Sequence, residues 1–179
     1  MFESKNAPVS PEYFRPRFCP VCGEKLEAAV DHMVCPACRR HHYQNPKPSV
    51  GAMIVRDGML LLVKRGREPF KGWWDIPGGF LNVDEHPEDA IRREVLEETG
   101  LRVEPRRLIG LYMDSYQYGE DTHSILNIFY ECIAIQGEMR AADDAIDFDW
   151  FDLKQLPSNI AFVSARKALM DWQSGKPQG

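Results

Sequence analysis

Apolar and polar positions along this chain of 179 residues change period from one segment to the next. The stretch "SVGAMIVRDGMLLLVKRG" is two apolar runs separated by Asp57-Gly58, and Asp-Gly between such runs predicts a β-hairpin. Further on, "RVEPRRLIGLYM" and "HSILNIFYECIAIQG" are rich in β-branched and aromatic residues and read as strands. "DFDWFDLKQLP" reads as a short strand and a turn, and "GWWDIPGGF" ends in a Pro-Gly-Gly turn. Near the end, "IAFVSARKALMDWQ" puts Phe162, Ala165, Leu169 and Trp172 on one helical stripe, the pattern of a core-facing helix.

A second helix is punctuated at both ends. Pro87 suits a first helical position, because its missing N–H has no partner there in any case. Glu88 and Asp89 favour the positive N-terminal end, and Gly100 is placed to stop the helix. The expected helix therefore spans Pro87 to Thr99. At about 100° per residue, Glu94, Glu97 and Glu98 fall within an arc of about 100°. Ile91 and Val95 flank that arc on its core side and Arg93 flanks it on the other. Three like charges so spaced weaken an isolated helix by a few tenths of a kcal/mol per pair. A hard divalent cation would turn that repulsion into a ligand set.

The first quarter of the chain has little apolar patterning. It carries four of the five cysteines, as Cys19-Pro-Val-Cys22 and Cys35-Pro-Ala-Cys38 with a 12-residue spacer. Two C-x2-C turns can aim four thiolates at one ion, so the segment reads as a structural Zn²⁺ ribbon over about residues 17–44. His41 and His42 are near enough to be alternative ligands, but four cysteines already fill the shell. Arg15, Arg17, Lys25, Arg39 and Arg40 make the segment basic. They read first as a solvated surface, with a contact to phosphates of a large substrate as the alternative. Cys132, inside an apolar run, reads as a buried small residue. Asn45-Pro46-Lys47-Pro48 makes an extended connector, since residues preceding proline avoid helical angles. The expected division is residues 1–45, holding the ribbon, and 46–179, a second domain with the strands and helices.

Bulk properties narrow the class. With 44% hydrophobic and 27% charged residues and a net charge of −5, the chain has the composition of a globular protein. That charge gives no broad affinity for nucleic acid or membrane. No apolar run approaches the ~20 residues that cross a bilayer, and the N-terminus lacks a signal-peptide pattern. A cytoplasmic location is the expectation.

Gly79, five residues, Glu85, seven residues, then "REVLEETGL" matches the Nudix box, G-x5-E-x7-R-E-U-x-E-E-x-G-U with U apolar, at every fixed position. The chain thus resembles the Nudix hydrolases from about Pro48 to Trp172, and the preceding "WWDIPGG" adds to the likeness. The resemblance implies an α/β/α sandwich around a mixed sheet. It also implies Mg²⁺- or Mn²⁺-dependent cleavage of a nucleoside diphosphate linked to another group, with release of a nucleoside monophosphate. Position by position, it implies Glu97 and Glu98 as main metal ligands and Glu94 as a third ligand or general base. Gly79 would add a carbonyl ligand, Arg93 would orient a glutamate, and Glu85 would stabilise the box loops. His86 stands where a small capping residue is common. An extra carboxylate from a later loop is expected at Asp143 or Asp144, then at Glu120 or Asp121.

The ribbon joined to this domain resembles the NADH pyrophosphatase branch, whose members act on NADH, ADP-ribose or FAD. NADH-specific members carry an SQPWPFP-like element after the box. The corresponding region here is "GLYMDSYQYGEDTHSILNIFYE", in which Tyr116 and Tyr118 could stack on a base. Two alternatives accompany this reading. One is clean-up of nucleoside triphosphates or removal of a nucleotide cap from RNA, and the other is a non-catalytic ligand sensor. The partners expected are a small nucleotide substrate, with nucleic acid less favoured, and a second copy of the chain in a homodimer.

Overall fold

The computed structural model describes residues 15–118 and 121–175. The chain folds into two units, one holding the segment up to Pro46 with Ser115–Ser124, the other Lys47–Asp114 with Ile125–Gly179. In the first unit, β1 (Glu27–Ala28), β2 (His32–Val34) and β3 (His41–Tyr43) form a three-stranded sheet in that order. Its small core is Cys19, Leu26 and Cys35.

The second unit is built on β4 (Lys47–Arg56) and β5 (Met59–Arg65), the expected hairpin. Asp57 and Gly58 take φ of 53° and 79°. Positive φ at both central residues is the turn that matches strand twist, and Val55 pairs with Leu60 across it. The other elements are β6 (Trp74–Asp75), β7 (Gly78–Phe80), α1 (Pro87–Thr99), β8 (Arg102–Tyr118), β9 (Asp121–Gln136), β10 (Ala145–Asp152) and α2 (Val163–Gln173). The sheet order is β10-β5-β4-β9-β8, with β6 on β5 and β7 on β4. β4 is antiparallel to β5 and β7 but parallel to β9, so the sheet is mixed.

Alternation along β4 separates two cores. Val50, Ala52 and Ile54 pack with Ile91 and Val95 of α1, while Met53 packs with Ala165, Ala168 and Leu169 of α2. The result is the α/β/α sandwich expected from the resemblance. Cys132 is buried in the α1-side core, where burial pushes its thiol up to about 12. Several boundaries differ from the sequence reading. β8 runs on past Met113 to Tyr118, β9 starts at Asp121 rather than His123, and Gly78 and Gly79 of the expected turn belong to β7. Lys47 and Pro48 belong to β4 rather than to a connector, because the extended angles that proline imposes are also strand angles. β10 begins two residues before Asp147, at Ala145, where a register irregularity admits it to the ladder with β5.

Both helix starts are capped unusually. His86 has extended angles, and its Nδ1 accepts the Glu88 N–H at 3.3 Å, so an imidazole performs the task of a small polar cap. At the other end of α1, Gly100 is left-handed at φ 73° and its N–H reaches Leu96 O. α2 has no capping side chain of its own. Instead Asp114 of β8 accepts the Ser164 N–H at 2.9 Å.

Candidate active site

The loop from β7 into α1 and the exposed face of α1 converge on one arginine. Arg93 donates through Nε and Nη2 to the two Glu85 oxygens at 2.7 and 2.8 Å. Its Nη1 reaches Glu94 Oε1 at 2.7 Å and Glu97 Oε2 at 3.2 Å, and Nη2 also reaches Phe80 O at 3.0 Å. One guanidinium thus bridges three box carboxylates and the backbone of β7. Hydrogen bonds from Arg93 hold the Glu85 carboxyl down at about 2, and the Asn82 N–H adds to this at 2.8 Å. The fork geometry of arginine suits such bidentate work.

Glu94 and Glu98 turn inward from the same helix. Glu98 is 7% exposed, and its Oε2 accepts the Gly78 N–H at 2.9 Å. Burial pushes its carboxyl well above the ordinary range, and the nearby Asp75, Glu94 and Asp144 push it further. Burial likewise raises Glu94, only partly offset by Arg93. Gly79 lies against Glu94 so closely that a Cβ there would fall 2.4 Å from the Glu94 carboxyl carbon. Only a glycine lets the β7 backbone approach the carboxylate in this way. Glu97 sits nearer solvent, at 46% side-chain exposure. The structure therefore brings Gly79, Glu85, Arg93, Glu94, Glu97 and Glu98 to one place.

A small cleft with about 30 Å³ of free volume adjoins this cluster, lined in part by Arg65, Arg67, Asp75, Gly78, Glu98 and Asp144. Asp75 is buried there, which pushes its carboxyl up to about 6 against the pull of Arg65, whose Nη1 lies at 3.2 Å. Arg67 Nε stands 2.8 Å from Asp144 Oδ1 and its Nη2 3.9 Å from Asp143. The angle of the closer pair does not make a hydrogen bond, so the buried Oδ1 has no donor among the described residues. Of the extra carboxylates expected, Asp144 lines the cleft and Asp143 adjoins it. Asp121 opens β9 in the segment grouped with the ribbon. Glu120 lies outside the described residues, as do the side chains of Tyr116 and Tyr118. Asp75, Arg65 and Arg67 are additions that the sequence reading does not contain. A signal for them exists, since alternation puts Val63, Arg65 and Arg67 on one face of β5 and its extension.

A cleft edged by several raised or mutually repelling carboxylates fits a divalent cation, which takes oxygen ligands in number. The ribbon has a different donor set. Cys19, Cys22, Cys35 and Cys38 place their sulfurs within 4.8 Å of one another. Cys19 and Cys38 are 3.6 Å apart, Cys22 and Cys35 3.4 Å. Although burial opposes the Cys19 thiolate, the Val21 and Cys22 amides bring it down to about 6. The Glu24 amide favours the Cys22 thiolate, but Cys35 and burial outweigh it and push Cys22 up to about 12. Four thiolates this close need a soft cation, and zinc fits. His41 stays out of the cluster and stacks on His32, its Nδ1 2.8 Å from His32 Nε2.

A family model described as the NUDIX domain matches residues 45–173. The chain belongs to the NUDIX family. Residues 15–43 of this Nudix hydrolase match a second model, the NADH pyrophosphatase zinc ribbon domain. An ADP-ribose pyrophosphatase of Methanocaldococcus jannaschii is 36% identical over 135 residues, covering 74% of this chain and 78% of the relative. A NAD-capped RNA hydrolase, NudC, of Pseudomonas aeruginosa is 31% identical over 167 residues. That match covers 91% of this chain but 57% of the relative, so the Nudix chain spans little more than half of NudC. Among solved structures, a Nudix hydrolase from Nitrosomonas europaea superposes with a TM-score of 0.73 at 26% identity, covering 90% of this chain and 95% of that one.

Proposed function

We propose that this Nudix hydrolase cleaves the pyrophosphate of a nucleoside diphosphate linked to a second moiety, such as ADP-ribose, NADH or FAD, and releases a nucleoside monophosphate. The observation that carries the reading is the Arg93-centred cluster, with buried Glu98 and Glu94 beside exposed Glu97. A binding module needs no such set of carboxylates bridged by one guanidinium. Similarity to an ADP-ribose pyrophosphatase across most of both chains supports the dinucleotide and nucleotide-sugar classes.

In this reading Glu97 and Glu98 hold Mg²⁺ or Mn²⁺, with Gly79 adding its carbonyl. A divalent cation held there would supply charge neutralisation for the pyrophosphate and a lowered pKa for a water nucleophile. Glu94 would either complete the ligand set or serve as the general base. Arg93 fixes the Glu94 carboxylate, and Glu85 fixes Arg93. Asp144 supplies the extra carboxylate from across the cleft. Burial of Glu98 in a low-dielectric wall strengthens whatever charge pairing occurs there. Zinc in the four-cysteine cluster is structural, because its shell has no open position.

Glu97→Gln and Glu98→Gln are expected to lower kcat by orders of magnitude while the melting temperature holds. Near-normal turnover in both variants removes the assignment. NAD-capped RNA, the substrate in the NudC relative's name, is the alternative that the same assay can include.

A further inference from the structure

Beside the cleft, the loop between β5 and β6 carries an aromatic pair that the cores leave half in solvent. Phe70 and Trp73 are 38% and 39% exposed, with ring centroids 5.5 Å apart. The backbone beneath them is closely tied. Arg65 N–H donates to Trp73 O at 2.9 Å, Gly72 N–H to Arg65 O at 2.8 Å, and Trp73 N–H to Phe70 O at 3.0 Å. Phe70 packs edge-on against Phe162 at 5.3 Å. It also holds a φ of 67°. A bulky residue rarely adopts such an angle, and it persists only where the surroundings impose it.

The pair is joined to the cleft through Arg65. That side chain donates from Nε to Pro69 O at 2.9 Å and from Nη1 to Asp75 at 3.2 Å, while its guanidinium lies 4.8 Å from the Phe162 ring centre. Trp74 opens β6 and packs on the α2-side core, and Trp73 just before it is tied to Arg65 by the Arg65 N–H to Trp73 O bond. Arg67, at 69% side-chain exposure, adds positive charge to the same wall.

Arg65 thus lines the cleft that Glu98 and Asp75 share and at the same time holds the loop that carries the two rings. A nucleotide likewise joins its phosphates, through a sugar, to a planar base. We propose that Phe70 and Trp73 form a ring-binding subsite, on which the base of the substrate stacks while its phosphates reach the Glu98 cleft. The proposal rests on the pyrophosphohydrolase reading for its ligand. A pre-tied loop loses little freedom on binding, so stacking contributes most of its energy to affinity.

Calorimetric titration tests it without turnover, with AMP, GMP, UMP and CMP as ring-bearing probes and ribose 5-phosphate as the ring-free one. Trp73→Leu keeps apolar packing but removes the stacking face, and Trp73→Phe restores a ring. Nucleoside monophosphate affinity is expected to fall about tenfold or more in Trp73→Leu. It should return to near wild type in Trp73→Phe, with ribose 5-phosphate binding unchanged throughout. On a hydrolysed nucleotide, Trp73→Leu should raise KM with kcat little altered. The subsite is overturned if no monophosphate binds the wild type, if Trp73→Leu binds them normally, or if ribose 5-phosphate affinity falls equally. Failure to hydrolyse any nucleotide would instead overturn the pyrophosphohydrolase reading, which these binding data do not use.

Discussion

Arg93 and Glu85 show how much of this site is support rather than ligand. Glu85 lies on the loop before α1, yet both its oxygens accept from Arg93, which in turn steadies Glu94. Glu85→Gln removes the charge from this pair, and losing a partner of that kind typically costs about 10- to 100-fold in activity. Steady-state rates at saturating Mg²⁺ measure it. Stability carries a signature of its own. Arg93 holds the folded-state carboxyl at about 2, below its ordinary value of 4.5, so the fold binds fewer protons at Glu85 than the unfolded chain does. The stabilisation is fully present above about pH 4.5 and is lost as pH falls toward 2. Urea unfolding of wild type and Glu85→Gln should therefore differ by a constant amount at about pH 5–7 and converge in acid. A gap that persists at about pH 2 would remove the ion pair as its cause.

At the scale of elements, α1 positions the chemistry, and its two ends carry testable energy. The His86 cap accepts a single N–H at 3.3 Å, a long bond for the task. His86→Ser or His86→Asp should leave stability equal or higher, whereas His86→Ala should cost about 1 kcal/mol. Thermal unfolding near neutral pH reads both. α1 was legible in the sequence from Pro87 to Gly100, because proline and glycine each act locally. So was the β4–β5 hairpin, since Asp57 and Gly58 alone set its turn. The carboxylate face was legible because three glutamates on one turn have few other uses beside Gly79 and Glu85. By contrast, the roles of Asp75 and Arg65 were not. Alternation groups Arg65 with Val63 and Arg67, but their meaning depends on β6 pairing with β5, which no residue beside Asp75 announces. β1 to β3 were equally hidden, since strands of two or three residues have no periodicity to detect. The ribbon was visible through its cysteines alone.

At the scale of the molecule, two donor sets call for two kinds of metal: thiolates in the segment before Pro46 and carboxylates in the domain after it. Elemental analysis of purified protein should find one tightly held zinc per chain. Cys35→Ser should lose it and lower the melting temperature, because structural zinc contributes directly to folding. No zinc, together with a melting temperature unmoved by chelator, would remove the ribbon assignment. Among the described residues no helix is long and apolar enough to cross a membrane. The central claim is that the Glu94, Glu97 and Glu98 face serves a divalent-cation pyrophosphohydrolase. It is tested most directly by incubating the purified chain with NADH, ADP-ribose, FAD, nucleotide sugars, nucleoside triphosphates and NAD-capped RNA. Products are identified by mass with Mg²⁺ or Mn²⁺ present and after EDTA. A nucleoside monophosphate is expected from at least one diphosphate-linked substrate with cation, and none after EDTA. Monophosphate absent across the whole panel, or formed equally in EDTA, would contradict it.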